Sequence, residues 1–282
     1  MKRFLVTGGI LLVFLIGLSV LLYPYVADYF NSRNQSRVVT QYYKDLGTLT
    51  EQDFSDLFDS AKAYNDSLNS KPNRFVLSDE DLAEYNTLLN PFGNEIMGTL
   101  RIDVIGVNLP IYHGTSEGVL QVGAGHLEGS SLPIGGLGTH SVITGHRGLP
   151  SATLLTKLDR VVIGDTFTLN ILGQVLTYQV DQILVVLPNE MEALAIDPNQ
   201  DYCTLITCTP YGINSHRMLV RGHRVTNIAA PDTGASQHIQ VQADAGAVNN
   251  MTIAALIFIP VFIIVAVYLG VNIKRIRRRT RQ

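Results

Sequence analysis

Two apolar blocks lie near the ends of the 282-residue chain and limit where the residues between them can fold. The first runs from about Phe4 to Val26 without a charged residue, and the second from about Met251 to Ile273. A helix needs about 20 apolar residues to cross a bilayer, so both blocks are long enough. No small-x-small cleavage site follows the first block, which also exceeds the ~7–15-residue apolar core of a signal peptide. We therefore predict two uncleaved transmembrane helices.

The charges beside the two blocks predict the topology. Lys2 and Arg3 precede the first block. A basic cluster follows the second block at once and consists of Lys274, Arg275, Arg277, Arg278, Arg279 and Arg281. Positive charge is retained on the cytoplasmic side of a membrane, so both termini are predicted to be cytoplasmic and residues ~30–250 to lie outside.

The bulk composition argues against several classes of protein. The net charge of -3 and the sequence pI of about 6.1 give no reason to expect nucleic acid as a partner. The chain has no Gly-Lys-Ser/Thr phosphate loop, which argues against a nucleotide-dependent enzyme. It has no Cys-x-x-Cys pair either, so a structural zinc site is not expected.

Helical patterns follow the first apolar block. Val38 to Ser67 is polar with apolar residues at helical spacing, which predicts one or two amphipathic helices broken near Gly47. Asn69 to Leu77 has the composition of a loop. Ser78-Asp79-Glu80-Asp81 then has the spacing of a capping box, with Asp81 at the third helical position, and predicts a short helix that reaches about Leu89.

Short alternating apolar stretches, separated by Gly, Pro and Asn, fill residues 96–228. This spacing is typical of a β-sandwich or a closed barrel. A helix is predicted only at Ala152–Leu158, and Gly123–Gly138 is predicted to be a loop with some helical turn. The predicted strands are Met97–Ile105, Val107–Tyr112, His140–Thr144, Asp165–Ile171, Val175–Val180, Ile183–Pro188, Tyr202–Cys208 and Arg217–Val225.

One predicted strand ends in a thiol. Thr204–Thr207 is apolar and β-branched, and Pro210 cannot donate a ladder hydrogen bond, so the strand should stop at about Cys208. Cys203 would lie about 16 Å away in an extended chain, whereas a disulfide needs a Cα separation of about 4.4–6.8 Å. Cys208 is therefore predicted to be a free thiol beside a loop, where a nucleophile is useful. The alternative is a buried cysteine that acts as a small hydrophobe.

A reactive thiol needs partners. A thiolate requires a basic or positively charged neighbour, and acyl transfer requires a donor for the oxyanion. His146 follows a β-rich run and precedes a Gly/Pro turn, whereas Arg217 opens a strand that could pair with the strand of Cys208. Five further histidines compete for the acid/base role, namely His113, His126, His140, His216 and His223. His140 lies within a strand and fits a core position, and His126 could be structural or face a substrate.

Three long motifs resemble those of the class C, pilus-type sortases. They are Gly123–Pro133, Thr139–Pro150 and Thr204–Gly222. The similarity covers roughly residues 96–226. It implies a mainly β fold, an eight-stranded sortase β-barrel with an N-terminal helical and lid region and two flanking transmembrane helices. By motif position it implies that Cys208 is the nucleophile, His146 the general acid/base and Arg217 the donor to the oxyanion or substrate carbonyl.

The resemblance also implies a reaction. Such enzymes cleave Leu-Pro-x-Thr-Gly sorting signals between Thr and Gly through a thioester, then join the product to a lysine of another pilin subunit by an isopeptide bond, without a cofactor. The implied partners are pilin or surface-protein substrates, an acceptor pilin lysine and the lipid bilayer. The alternatives are a sortase that anchors surface proteins to peptidoglycan, a non-catalytic membrane scaffold and a secreted cysteine protease.

Class C sortases usually carry a lid with an Asp-Pro-aromatic motif, which this chain lacks. Asn90-Pro91-Phe92 resembles the motif but lies beside Met97-Gly98, where the first barrel strand should begin. By position the lid is expected at about Asn69–Asp81. The nearest match to its plug residues is Lys71, Pro72, Arg74 and Phe75.

The chain is therefore predicted to have six parts. They are a cytoplasmic tip and transmembrane helix (1–29), an extracellular helical stalk and lid region (30–95), the sortase barrel (96–228), a linker (229–250), a second transmembrane helix (251–273) and a basic cytoplasmic tail (274–282).

Overall fold

A computed structural model describes residues 2–71 and 73–226. The predictions for the linker, the second apolar block and the basic tail lie outside the described residues. Within them, helix α1 runs without a break over Lys2–Leu46 and so continues past the predicted boundary at residue 29. By length and composition it is the one helix in the described part of the chain that could cross a membrane. The turn that follows it at Gly47 confirms the predicted break.

Two further helices lead to the barrel. Helix α2 covers Glu51–Leu68, and helix α3 covers Asp79–Thr87. The predicted capping box at the start of α3 is present, because the Ser78 hydroxyl accepts a hydrogen bond from the Asp81 amide and the Asp81 carboxylate accepts one from the Ser78 amide. Such caps satisfy amide groups that the first turn of a helix leaves unpaired.

Eight strands close into a barrel in the order β1-β2-β3-β4-β7-β8-β6-β5. Pairing of β1 with β5 closes the barrel, which is one of the two folds that the strand spacing predicts. A short helix, α4, covers Glu117–Val122, and 3-10 turns cover Asp103–Ile105, Leu158–Arg160 and Glu192–Leu194. The strands are β1 (Ile96–Ile102), β2 (Val107–His113), β3 (Ala124–His126), β4 (Thr139–Thr144), β5 (Thr166–Ile171), β6 (Gln174–Val186), β7 (Asp201–Thr209) and β8 (His216–Val225).

Three local predictions were wrong, although the strand total was right. The two stretches predicted at Val175–Val180 and Ile183–Pro188 form the single strand β6, because a register shift between Val180 and Gln182 interrupts the alternation. The predicted loop Gly123–Gly138 contains β3, and α4 was not predicted at all. Ala152–Leu158 is not an α-helix, since Leu154 has a φ of 39°, which lies outside the helical range.

The barrel has an apolar interior and a second apolar patch outside. Side chains that point inward, such as Leu205 on β7, are fully buried, and burying one such side chain contributes about 1.5–3 kcal/mol. Ile206 points to the opposite face, because side chains alternate along a strand. On that outer face lies a cluster that we call the outer patch, whose members are Leu127, Val142, Leu184, Val186, Met191, Ala193, Leu194, Ile206 and Leu219.

Candidate active site

Strand register brings the predicted nucleophile and the predicted acid/base to the same level. β4 and β7 are parallel neighbours, and Thr144 pairs with Ile206. The amide of Gly145 donates to the Ile206 carbonyl at 3.0 Å, so the pairing continues one residue beyond β4. His146 and Cys208 each lie two residues past the last paired position. Because neighbouring strands are about 4.8 Å apart, these two residues end side by side.

Arg217 flanks Cys208 on the other side. β7 and β8 are antiparallel, and Cys208 lies directly opposite Arg217 in the ladder. Residues directly opposite each other in such a pair point to the same face of the sheet. The Arg217 guanidinium donates through Nη1 to the carbonyls of Asn214 and His216 at 3.2 and 3.1 Å, which holds it against the β7–β8 loop. The three residues predicted to form the site therefore lie on three adjacent chain segments.

The two cysteines have different environments. Both are free, which confirms that no disulfide joins them. Cys203 is completely buried inside the barrel, and burial raises the pKa of its thiol, with a smaller contribution from the charge of Asp201. Cys208 is only partly buried and lies on the outer face. Of the two thiols, Cys208 is thus the one that a substrate can reach.

A carboxylate that the sequence did not indicate lies beside His146. Glu117 Oε2 is 3.5 Å from Nε2 of His146, and the Glu117 side chain is 70% exposed. A hydrogen bond from Gln121 and then the charge of His146 hold the pKa of Glu117 below its ordinary value. Glu117 opens α4, which has Ser116 as its N-cap. The Ser-Glu pair could have indicated the start of a helix, but nothing in the sequence indicates that Glu117 lies beside His146.

Arg147 ties the segment of His146 to its surroundings. Its Nη2 lies 2.5 Å from Asp159 Oδ2, and its Nη1 donates to Thr209 Oγ1 at 3.3 Å. Thr209 is the residue after Cys208, so this guanidinium connects the chain on both sides of the site. The Thr207 hydroxyl adds a hydrogen bond to the Gly145 carbonyl at 2.8 Å. These contacts fix the separation of the two strand ends that carry His146 and Cys208.

Three of the competing histidines are structural, and the first is His113, which is buried with its ring against the Leu88 and Glu95 carbonyls at 2.6 and 3.1 Å. His140 is buried, as predicted; its ring contacts the Ala195 carbonyl at 2.9 Å and the Thr204 hydroxyl at 2.7 Å, and burial lowers its pKa to about 4. For His126 the structural alternative holds. Its ring contacts the Tyr85 hydroxyl at 2.9 Å, and complete burial lowers its pKa to about 3.

The segment expected to be the lid lies on the outer face of the barrel. Phe75 packs against the outer patch, which includes Ile206, two residues before Cys208. The Arg74 guanidinium lies 4.5 Å from the centre of the Phe75 ring and donates to the carbonyls of Gly129 and Leu194 at 3.2 and 2.5 Å. We call residues 69–81 the lid segment. Pro72 within it lies outside the described residues.

An ion pair connects the start of the lid segment to α3. Lys71 Nζ is 2.6 Å from Asp81 Oδ1, and this contact, followed by hydrogen bonds from Ser78, lowers the pKa of Asp81 to about 2.

Phe92 of the Asn-Pro-Phe stretch packs edge-on against Tyr42 of α1, with 6.5 Å between ring centres. It therefore packs against the N-terminal helix and not on the outer patch.

Comparisons with known proteins agree with this fold. A family model described as the Sortase domain matches residues 100–225. Sortase C1 from Streptococcus agalactiae is 46% identical, with a TM-score of 0.65 over 68% of this chain and 99% of that chain. Sortase C from Streptococcus pneumoniae is 45% identical, with a TM-score of 0.61 over 67% and 97%. A lid mutant of sortase A from Corynebacterium diphtheriae is 44% identical, with a TM-score of 0.58 over 63% and 96%.

An eight-stranded barrel with a thiol between a histidine and an arginine is the architecture of a sortase, and the chain belongs to the sortase family of cysteine transpeptidases. Its neighbours from S. agalactiae and S. pneumoniae are class C sortases, which confirms the resemblance to that class. Membership in a family of transpeptidases argues against the non-catalytic scaffold. Enzymes of this family act on surface proteins that carry sorting signals.

Proposed function

We propose that this sortase cleaves Leu-Pro-x-Thr-Gly-type signals between Thr and Gly and joins pilin subunits through isopeptide bonds. The observation that carries the proposal is the position of Cys208 between His146 and Arg217 on adjacent strands. The structure of sortase C from S. pneumoniae has been related to pilin substrate specificity, which supports a pilin as the substrate here.

The proposed chemistry needs only these side chains. The Cys208 thiolate attacks the threonine carbonyl, and Arg217 donates hydrogen bonds to the oxyanion that forms. His146, as imidazolium, protonates the leaving glycine amine, so that the peptide bond breaks and a thioester remains. A pilin lysine amine then attacks the thioester and loses a proton to His146. The products are the isopeptide bond and a free Cys208.

The test is an adduct experiment on the soluble segment 35–226. Incubation with a Leu-Pro-x-Thr-Gly peptide, followed by mass spectrometry, should give an acyl adduct on Cys208 that moves to lysine when a pilin domain is added. Cys208→Ala should abolish the adduct. Cys203→Ala is the matched control, because it removes the buried thiol and should leave the adduct intact.

Two results would change the proposal. Transfer to a peptidoglycan amine in preference to pilin lysine would favour the anchoring alternative. If the acyl group moves to neither acceptor and added amine does not change the rate of peptide hydrolysis, the result would favour a protease.

We also propose that α1 anchors the enzyme in the membrane, with both termini cytoplasmic and the barrel outside. The length and apolar composition of α1 and the basic residues beside both apolar blocks support this topology. A cysteine introduced as Gln282→Cys in a Cys208→Ala background, which removes the reachable thiol of the barrel, should resist a membrane-impermeant maleimide in intact cells. Rapid labelling there would contradict the topology.

We further propose that the lid segment restricts access to the site. Phe75 covers apolar surface that begins two residues from Cys208, and the Arg74 guanidinium fastens the segment to two carbonyl groups. The proposed lid residues are Lys71, Pro72, Arg74 and Phe75.

A further inference from the structure

The contacts of α1 fix which end of the barrel lies nearest to the apolar block. Asp28 is the first charged residue after that block. Its Oδ1 accepts a hydrogen bond from the Thr153 amide at 2.6 Å, and one turn later Asn31 Nδ2 donates to the Ser151 carbonyl at 2.7 Å. At a rise of about 1.5 Å per residue, both contacts lie within about 8 Å of Val26 along the helix. The loop that follows His146 is therefore held just beyond the apolar block.

From that point α1 runs along the barrel toward its opposite end. Gln35 donates to the Val122 carbonyl at 3.1 Å, and Tyr42 donates to the Met97 carbonyl at 2.8 Å. Met97 lies at the start of β1, which runs in the same direction as β4 through the pairings of β2 and β3. The starts of β1 and β4 thus share the end that is remote from the apolar block. The ends of β4 and β7, with His146 and Cys208, are at the near end.

The β7–β8 loop presents apolar side chains at this near end. Tyr211 is 61% exposed and Ile213 is 72% exposed, only a few residues after Cys208. The Tyr211 ring lies against Gly148, which belongs to the loop after His146. Later residues of that loop, Ser151 and Thr153, contact Asn31 and Asp28 of α1. Helix α1, which contacts the loop after His146, carries exposed aromatic residues at Tyr23, Tyr25 and Phe30. Aromatic side chains of this kind favour the interface between lipid and water.

We propose that the β7–β8 loop is a membrane-contact surface, in which Tyr211 and Ile213 enter the headgroup layer of the bilayer that α1 crosses. The active site then opens along the membrane surface, where a substrate still held by its own membrane segment can reach Cys208. This inference rests on the proposed anchoring of α1. Its chemistry is that of exposed apolar and aromatic side chains next to the loop that α1 contacts through Asp28 and Asn31.

The chain contains no tryptophan, so a single introduced indole reports its own environment. The full-length variant Ile213→Trp is reconstituted in phosphatidylcholine–phosphatidylglycerol vesicles whose phosphatidylcholine carries bromine near the headgroup end of the acyl chains. Its fluorescence should be blue-shifted and strongly quenched relative to vesicles without bromine. The matched control is Leu137→Trp, at a 78% exposed position just before β4 and so at the remote end, where fluorescence should not change. Equal quenching of the two variants would overturn the proposal.

An insert in α1 tests whether the quenching depends on the distance of the barrel from the membrane or on nonspecific binding of the β7–β8 loop to lipid. A helical insert of about seven alanine, glutamate and lysine residues between Ala27 and Asp28 adds two turns and lifts the barrel by about 10 Å without changing the face that Asp28 presents. Quenching at Ile213→Trp should then disappear, and persistence of the quenching would contradict the proposal.

The same vesicles distinguish this proposal from those on which it rests. Flotation of the protein with the vesicles reports anchoring, and the peptide adduct on Cys208 reports the reaction. A variant that floats and forms the adduct while its indole remains unquenched refutes the membrane contact alone. A protein that fails to float refutes the anchoring, and the membrane contact falls with it.

Discussion

At the scale of single residues, the site also depends on side chains outside the three that are proposed to carry the chemistry. Arg147 contacts Asp159 on one side and Thr209 on the other, and through the backbone it is attached to His146. Its side chain is 9% exposed, so water competes little for these contacts. A planar guanidinium can reach two partners at once, whereas the ammonium of lysine is a single point charge. Arg147 is accordingly a positioning residue.

The substitution Arg147→Lys should lower kcat for transpeptidation about tenfold, equivalent to about 1.4 kcal/mol of transition-state stabilisation. KM should remain close to the wild-type value, because the lost contact involves Thr209 and not the substrate. Steady-state kinetics with a sorting-signal peptide checks both parameters. Arg101→Lys, which alters an exposed ion pair with Asp103, is the control and should change neither. An unchanged kcat for Arg147→Lys would show that the link is dispensable.

The residues proposed to carry the chemistry were easier to predict from the sequence than the residues that position them. Cys208, His146 and Arg217 became candidates because each stands where a β-rich run meets a loop. The resemblance of their motifs to those of class C sortases then selected them. Glu117 and the linking role of Arg147 could not, since they depend on contacts between segments 12 to 62 residues apart. Side-chain reach across such separations has no signature in spacing or composition.

At the scale of elements, the lid segment is held by few contacts, and one of them depends on a glycine. Gly129 has a φ of 81°, and a side chain there would collide with the backbone carbonyl of Arg74. The lid segment can therefore lie against this loop only because residue 129 lacks a Cβ.

Gly129→Ala should displace the lid segment and increase the rate at which a thiol reagent modifies Cys208. A loss of about 1.4 kcal/mol of closing free energy corresponds to about a tenfold faster reaction. Gly136→Ala is a matched control, because Gly136 has a φ of 110° but nothing lies within 4 Å of its would-be Cβ. Both variants carry backbone strain, and only the first disturbs the lid segment. Similar labelling rates for the two would argue against a restricting lid.

The elements themselves were predicted unevenly, for physical reasons. The capping box before α3 and the break at Gly47 are local features and were found. β3 has only three residues and is a strand because it pairs with β2 and β4, which its glycine-rich sequence does not indicate. β6 was divided because its bulge near Asp181 reverses the alternation on which strand prediction relies.

At the scale of the whole molecule, buried histidines make stability depend on pH. His126 and His140 have pKa values of about 3 and about 4 in the folded state, because burial disfavours their charged forms. In the unfolded chain a histidine titrates near 6.5. Below that pH the unfolded state binds protons that the folded state does not, so the stabilisation is complete above about 6.5 and is lost as the pH falls toward 4.

We expect the free energy of unfolding of segment 35–226 to fall by about 1.4 kcal/mol per pH unit for each of these two histidines between pH 6 and 5. Urea unfolding at several pH values measures this slope. His140→Gln keeps a donor for the Ala195 carbonyl and removes one titrating group, so its slope should be smaller by about 1.4 kcal/mol per pH unit. Identical slopes for the two proteins would contradict this assignment.

The parallel pairing of β4 with β7 has a consequence for how the enzyme comes into being. Thr144 and Ile206 are separated by 62 residues, so the strands that carry His146 and Cys208 meet only after a long loop has closed. Contacts of this range form late, and folds dominated by them take milliseconds to seconds to assemble. A chain that has not yet folded therefore carries Cys208 without His146 beside it. The arrangement that would make Cys208 reactive therefore arises only together with the native state.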